Sequence, residues 1–73
     1  MENKRQKFVR LAESRTNKVL HMLSLLSNCA NKSNYTYNDD DVRQIFNAIE
    51  KAVKNTKNAF IGEHEKEEVF YLK

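Results

Sequence analysis

One glycine and no proline in 73 residues leave this chain few places to turn. Tight turns and β-bulges draw on those two residues, so the shortage argues against a turn-rich β fold. The helix is the structure that best tolerates their absence. Size sets a second limit: a chain this short makes at most one domain, with a core supplying only ~3–5 kcal/mol. The usual staples of small folds are missing, because Cys29 has no partner for an internal disulfide and no Cys/His spacing suggests a metal. A hydrophobic content of 40% is nonetheless too high for a disordered chain. The expectation is an all-α protein that gains stability by associating.

The apolar residues give the helices their positions. Phe8, Leu11, Ala12, Val19, Met22, Leu23, Leu26 and Cys29 recur at intervals of three and four, with Leu20 and Leu25 widening that face. Asn3 and Gln6 have capping-box spacing, although Lys4 and Arg5 oppose the helix dipole. A helix is expected over about residues 4–27, roughly 36 Å long. The second helix is better marked. Asn38 is a good N-cap, Asp39, Asp40 and Asp41 fill the first turn, and Tyr37 with Val42 has the spacing of a hydrophobic staple. Its face runs Val42, Ile45, Phe46, Ile49, Ala52, Val53, Thr56 and Phe60, and Gly62 suits a left-handed cap after residue 61. Residues 28–38 form a loop rich in Asn, Ser and Tyr, and residues 63–73 an acidic then apolar tail.

An antiparallel hairpin sets Leu26 near Val42, Met22 near Phe46, Val19 near Ile49 and Phe8 near Phe60. Two helices cover only one side of each other, so the wide face at Leu20, Leu23 and Leu25 needs a further neighbour. A homodimer completing a four-helix bundle supplies one, and the Val69–Leu72 segment folding back is the alternative.

Charge is unevenly spread. Residues 1–38 carry seven basic and two acidic side chains, net +5; residues 39–73 carry six basic and eight acidic, net −2. Such asymmetry favours an acidic partner for the first half, nucleic acid among them, although charged helix surfaces are common for no such reason. The hairpin gathers Lys4, Arg5, Lys7 and Arg10 near Lys54 and Lys57, with Lys51 a turn above. Against a nucleic-acid role, no aromatic residue interleaves this pole, no helix-turn-helix spacing is present, and the acidic tail leaves from the same end. No secretory segment and no apolar run near the ~20 residues of a membrane span is found, so a cytoplasmic protein is expected.

Catalysis is not expected. His21, His64 and Cys29 are the classical candidates, yet neither three converging zinc ligands nor a cysteine with a base can be assembled. The Asp39–Asp41 run suggests Mg²⁺ or Ca²⁺ only superficially, since consecutive helical positions diverge by ~100°. No cofactor or small-molecule substrate is expected. Arg15 interrupts the apolar face of the first helix. It reads either as an anchor for an anion, or more simply as a side chain snorkelling to an acidic partner. Asn28, Asn31, Asn34, Tyr35 and Tyr37 give the loop a composition suited to recognition, and equally to closing local turns.

The pattern Phe8, Leu11-Ala12, Arg15, Asn17, then Asn28, Asn34-Tyr35, Tyr37, Asp41-Val42 and Ile45-Phe46 resembles a family of short bacterial proteins. The likeness spans about residues 8–60, with Cys29-Ala30 where the family shows Leu-Ser and with a more acidic tail here. It implies no activity. It does imply that Arg15, Asn17, Asn28, Asn34 and Tyr35 belong together, as a polar network between loop and first helix. Two functions are expected in order: nucleic-acid association through the basic pole, and a protein-partner adaptor or inhibitor using the loop or the tail.

Overall fold

The computed structural model describes residues 1–62, and the tail that carries the acidic run and the Val69–Leu72 segment lies outside them. The described chain is helical, without strands: α1 spans Lys4–Ser27, a short 3₁₀ turn spans Asn28–Ala30, and α2 spans Asp39–Ile61. It divides between Thr36 and Tyr37 into two compact units, each built on one long helix.

Both helices begin at the reciprocal cap expected of their sequence. In α1 the Asn3 Oδ1 accepts the Gln6 N–H at 2.7 Å, and Gln6 Oε1 accepts the Asn3 N–H at 3.0 Å. In α2 the Asn38 Oδ1 accepts the Asp41 N–H at 2.8 Å while Asp41 Oδ2 accepts the Asn38 N–H at 3.0 Å. Each box satisfies two backbone donors that a bare helix start leaves orphaned. The two starts differ in charge. The first turn of α2 holds Asp39, Asp40 and Asp41, which the positive end of the helix dipole favours; the first turn of α1 holds no acid. Asp40 is engaged besides, its two oxygens accepting from Arg43 Nη1 at 3.0 Å and Gln44 Nε2 at 2.8 Å. The Asp triplet is thereby accounted for by helix chemistry. Tyr37 and Val42 are both half-buried, as a staple beside this cap requires.

Asn38→Ala removes one half of the α2 box without touching the stripe of apolar residues. It is expected to cost about 1 kcal/mol, with most of the loss recovered by Asn38→Gly, as read by urea denaturation.

The helix ends are made differently. Gly62 closes α2 at φ 80° and ψ 11°, the left-handed conformation that residues with a Cβ seldom adopt, and its N–H donates to Asn58 O at 3.1 Å. At the end of α1, the Asn28 N–H points at both Leu25 O and Leu26 O, and Ser27 Oγ donates to Ser24 O at 2.6 Å. The chain then turns on Asn31: its carbonyl accepts the N–H groups of Asn34 (3.1 Å) and Tyr35 (3.0 Å), and its Oδ1 accepts that of Ser33 at 2.9 Å. Asparagine closes this turn with its own side chain, which is why the loop needs no glycine.

A single helix cannot cover its own apolar face, and no described residue is fully buried. The two faces differ in width. At ~100° per residue, Val42, Ile45, Phe46, Ile49, Ala52, Val53, Thr56 and Phe60 fall within an arc of about 120° on α2, a well-defined stripe. The apolar positions of α1, from Leu25 round to Leu20, span an arc of about 220°. Leu20 is 58% exposed and Leu25 45%. Half-burial in α1 is confined to Val9, Leu11, Ala12 and Leu26.

Candidate nucleic-acid interface

The cations of the first unit are concentrated at the start of α1, in Lys4, Arg5, Lys7 and Arg10, before the first acid of the helix at Glu13. They are not equivalent. Arg10 is neutralised by Glu2, which precedes the cap: Arg10 Nε donates to Glu2 Oε2 at 2.7 Å and Nη2 to Oε1 at 3.0 Å, a two-pronged pair. The guanidinium holds the Glu2 carboxyl below its ordinary range, and the carboxylate in turn raises Arg10. Arg5 lies over the Phe8 ring at 5.9 Å from its centre, near the outer limit of a cation–π contact. Among the described residues Lys4 and Lys7 form no ion pair, so the positive field of this end rests on Lys4, Arg5 and Lys7. The pairing of Arg10 was not legible from the sequence, because Glu2 stands eight residues away and outside the helical repeat. Beside the pair, Arg5, Gln6, Val9, Glu13, Ser14 and Asn17 line a shallow concavity on the same side of α1.

The Glu2–Arg10 pair sets a pH dependence whose sign is fixed by the lowered carboxyl. Its contribution is present above the ordinary carboxylate range and is lost as pH falls through the lower folded-state value. In a carboxyl NMR titration Glu2 is expected to protonate at lower pH than in the Arg10→Ala variant, with the difference shrinking as salt rises.

In the second unit Lys51 and Lys54 lie on the side of α2 away from the stripe, and Lys57 lies at its edge, about 20° beyond Phe46. They follow the acidic first turn by about three helical turns, so α2 is acidic at one end and basic at the other.

The structure places the residues of the expected polar network in the middle of α1 (Arg15 and Asn17), in the 3₁₀ turn (Asn28) and in the loop after it (Asn34 and Tyr35). Arg15 and Asn17 stand two residues apart on a helix, which points them to roughly opposite sides. Asn28 serves the end of α1 through its backbone, and Asn34 and Tyr35 are held by the Asn31 carbonyl. Among the described residues these five side chains make no hydrogen bond with one another. Arg15 is exposed, and so is Tyr35, at 52%. Leu20, Leu23 and Leu25 are exposed on the wide face of α1, with Leu23 the least so at 38%. Cys29 is exposed in the 3₁₀ turn. Among the described residues no three His, Cys, Asp or Glu side chains converge as metal ligands, and no helix is long and apolar enough to cross a membrane.

The chain matches no family model, no curated protein and no solved structure. The functional reading therefore rests on its own residues.

Proposed function

We propose that this is a small non-enzymatic, cytoplasmic binding protein that associates with nucleic acid through the basic start of α1. The observation that carries the reading is the contrast between the two helix starts. α2 places three acids where the dipole favours them, whereas α1 places Lys4, Arg5 and Lys7 where the dipole disfavours cations. Cations held at an unfavourable position have a use other than stabilising their own helix. In this reading the helices form an antiparallel hairpin, which adds Lys51, Lys54 and Lys57 to the same pole. Two hairpins form a homodimeric four-helix bundle, because the 220° face of α1 exceeds what one neighbour covers. The dimer presents two basic poles to phosphate.

Fluorescence anisotropy with labelled duplex DNA and single-stranded RNA tests this. Binding is expected at ~50 mM salt and a steep loss by ~200 mM, as counterion release requires. No binding to either at ~50 mM salt overturns the proposal.

One observation favours a second reading, a protein-partner adaptor or inhibitor. Tyr35 holds its ring in solvent while its own N–H is tied to Asn31, so an aromatic face stands on a fixed turn. If this reading is correct, Tyr35→Ala loses a partner that the unchanged chain captures.

A further inference from the structure

The end of α2 repeats, with the opposite sign, the conflict at the start of α1. The helix dipole disfavours acids at a C-terminus, yet α2 closes at Ile61 and Gly62 and the sequence runs on through Glu63, Glu65, Glu67 and Glu68. Against Lys66 these four acids give residues 63–68 a net charge of −3, and Lys4, Arg5 and Lys7 give the start of α1 +3. Acids placed where their own helix gains nothing from them have a counterpart elsewhere. We propose that residues 63–68 occupy Lys4, Arg5 and Lys7 in place of phosphate, so that nucleic acid binds by displacing them. This rests on the hairpin and on the nucleic-acid reading above, and it names the regulation of that site.

The other cations of the pole are served closer at hand. Lys54 stands four residues after Glu50, the spacing of a helical ion pair, and Lys57 lies towards the end of α2, where the dipole favours it. Arg10 is taken by Glu2. Among the described residues no acid pairs with Lys4, Arg5 or Lys7. In the hairpin Gly62 lies beside the start of α1. Six residues span up to ~20 Å, whereas Lys4 to Lys7 rises only about 4.5 Å, so length does not limit the contact. Exposed ion pairs are individually weak, so phosphate can replace them: the contact tunes affinity and adds little to stability.

A double-mutant cycle in the full chain tests this, read by fluorescence anisotropy with labelled duplex DNA at ~50 mM salt. Replacing all four acids, Glu63→Gln, Glu65→Gln, Glu67→Gln and Glu68→Gln, is expected to tighten binding about 10-fold and to steepen its salt dependence. In the Lys4→Ala, Arg5→Ala, Lys7→Ala background the same four changes are expected to tighten it less than ~3-fold, because the sites they vacate are gone. Equal gains in both backgrounds assign the effect to net charge and overturn the proposal. An affinity that the four changes leave unaltered also overturns it, with the nucleic-acid reading left standing. No duplex binding by either the unchanged or the four-Gln chain overturns both. Carboxyl NMR without nucleic acid gives a second readout. Glu63, Glu65, Glu67 and Glu68 are expected to titrate at higher pH in the triple-Ala chain than in the unchanged one, with Glu50 unmoved. Carboxyls that do not move overturn the contact.

Discussion

Ile49→Asp is expected to abolish association and most of the helicity, as measured by sedimentation and far-ultraviolet circular dichroism. Ile49 sits in mid-stripe on α2 and is already half-buried. In the proposed bundle it becomes core, where losing an isoleucine side chain costs ~2–5 kcal/mol and placing an unpaired carboxylate costs more still. Symmetry imposes that loss on both copies. A chain of this size has only ~3–5 kcal/mol of stability from a single core, so the substitution consumes it. The matched control is Asn47→Asp, on the opposite side of α2, which is expected to stay within ~0.5 kcal/mol. An Ile49→Asp chain that remains dimeric and helical would show that the stripe is not the core.

The triple variant Lys4→Ala, Arg5→Ala, Lys7→Ala is expected to lose at least ~10-fold in duplex affinity at low salt. The slope of log affinity against log salt is expected to fall by about 2.7, at ~0.9 per phosphate contact removed. Its effect on folding has the opposite sign. Removing three cations from a helix start relieves the dipole conflict, so helicity and thermal stability should rise slightly, by up to ~0.3–1 kcal/mol for each exposed site. A loss of binding together with a gain in helicity separates a ligand-contact role from a structural one. If affinity and slope are unchanged, the basic start of α1 is not the interface. Arg10→Ala is expected to change binding less than any of the three, since Glu2 already holds that guanidinium.

Both predictions draw on features that were legible in the sequence to different degrees. The capping boxes at Asn3–Gln6 and Asn38–Asp41, and the left-handed Gly62, follow from chemistry that acts across three or four residues, so reading neighbouring letters suffices. The two apolar faces were legible for the same reason, because helical periodicity is a local property. The basic cluster was legible as composition, but its internal division was not. That Arg10 is held by Glu2 and Arg5 rests over Phe8 depends on how the residues before the cap lie along α1. Among the described residues the side chains of Arg15, Asn17, Asn28, Asn34 and Tyr35 share no hydrogen bond with one another. A shared pattern does not place side chains on one side of a helix, and a two-residue step separates Arg15 from Asn17 by about 200°.

The sequence by itself determined that this protein is helical, where its caps close, and that its charge is lopsided, since each of these is decided within one turn of chain. Only the tertiary structure decided which cations at the start of α1 are committed to partners within the chain, because that depends on the path of the backbone before Asn3. It also decided that the loop turns on the Asn31 carbonyl and side chain. In both cases short, well-formed hydrogen bonds to near neighbours satisfied groups that composition alone left equally available to distant ones.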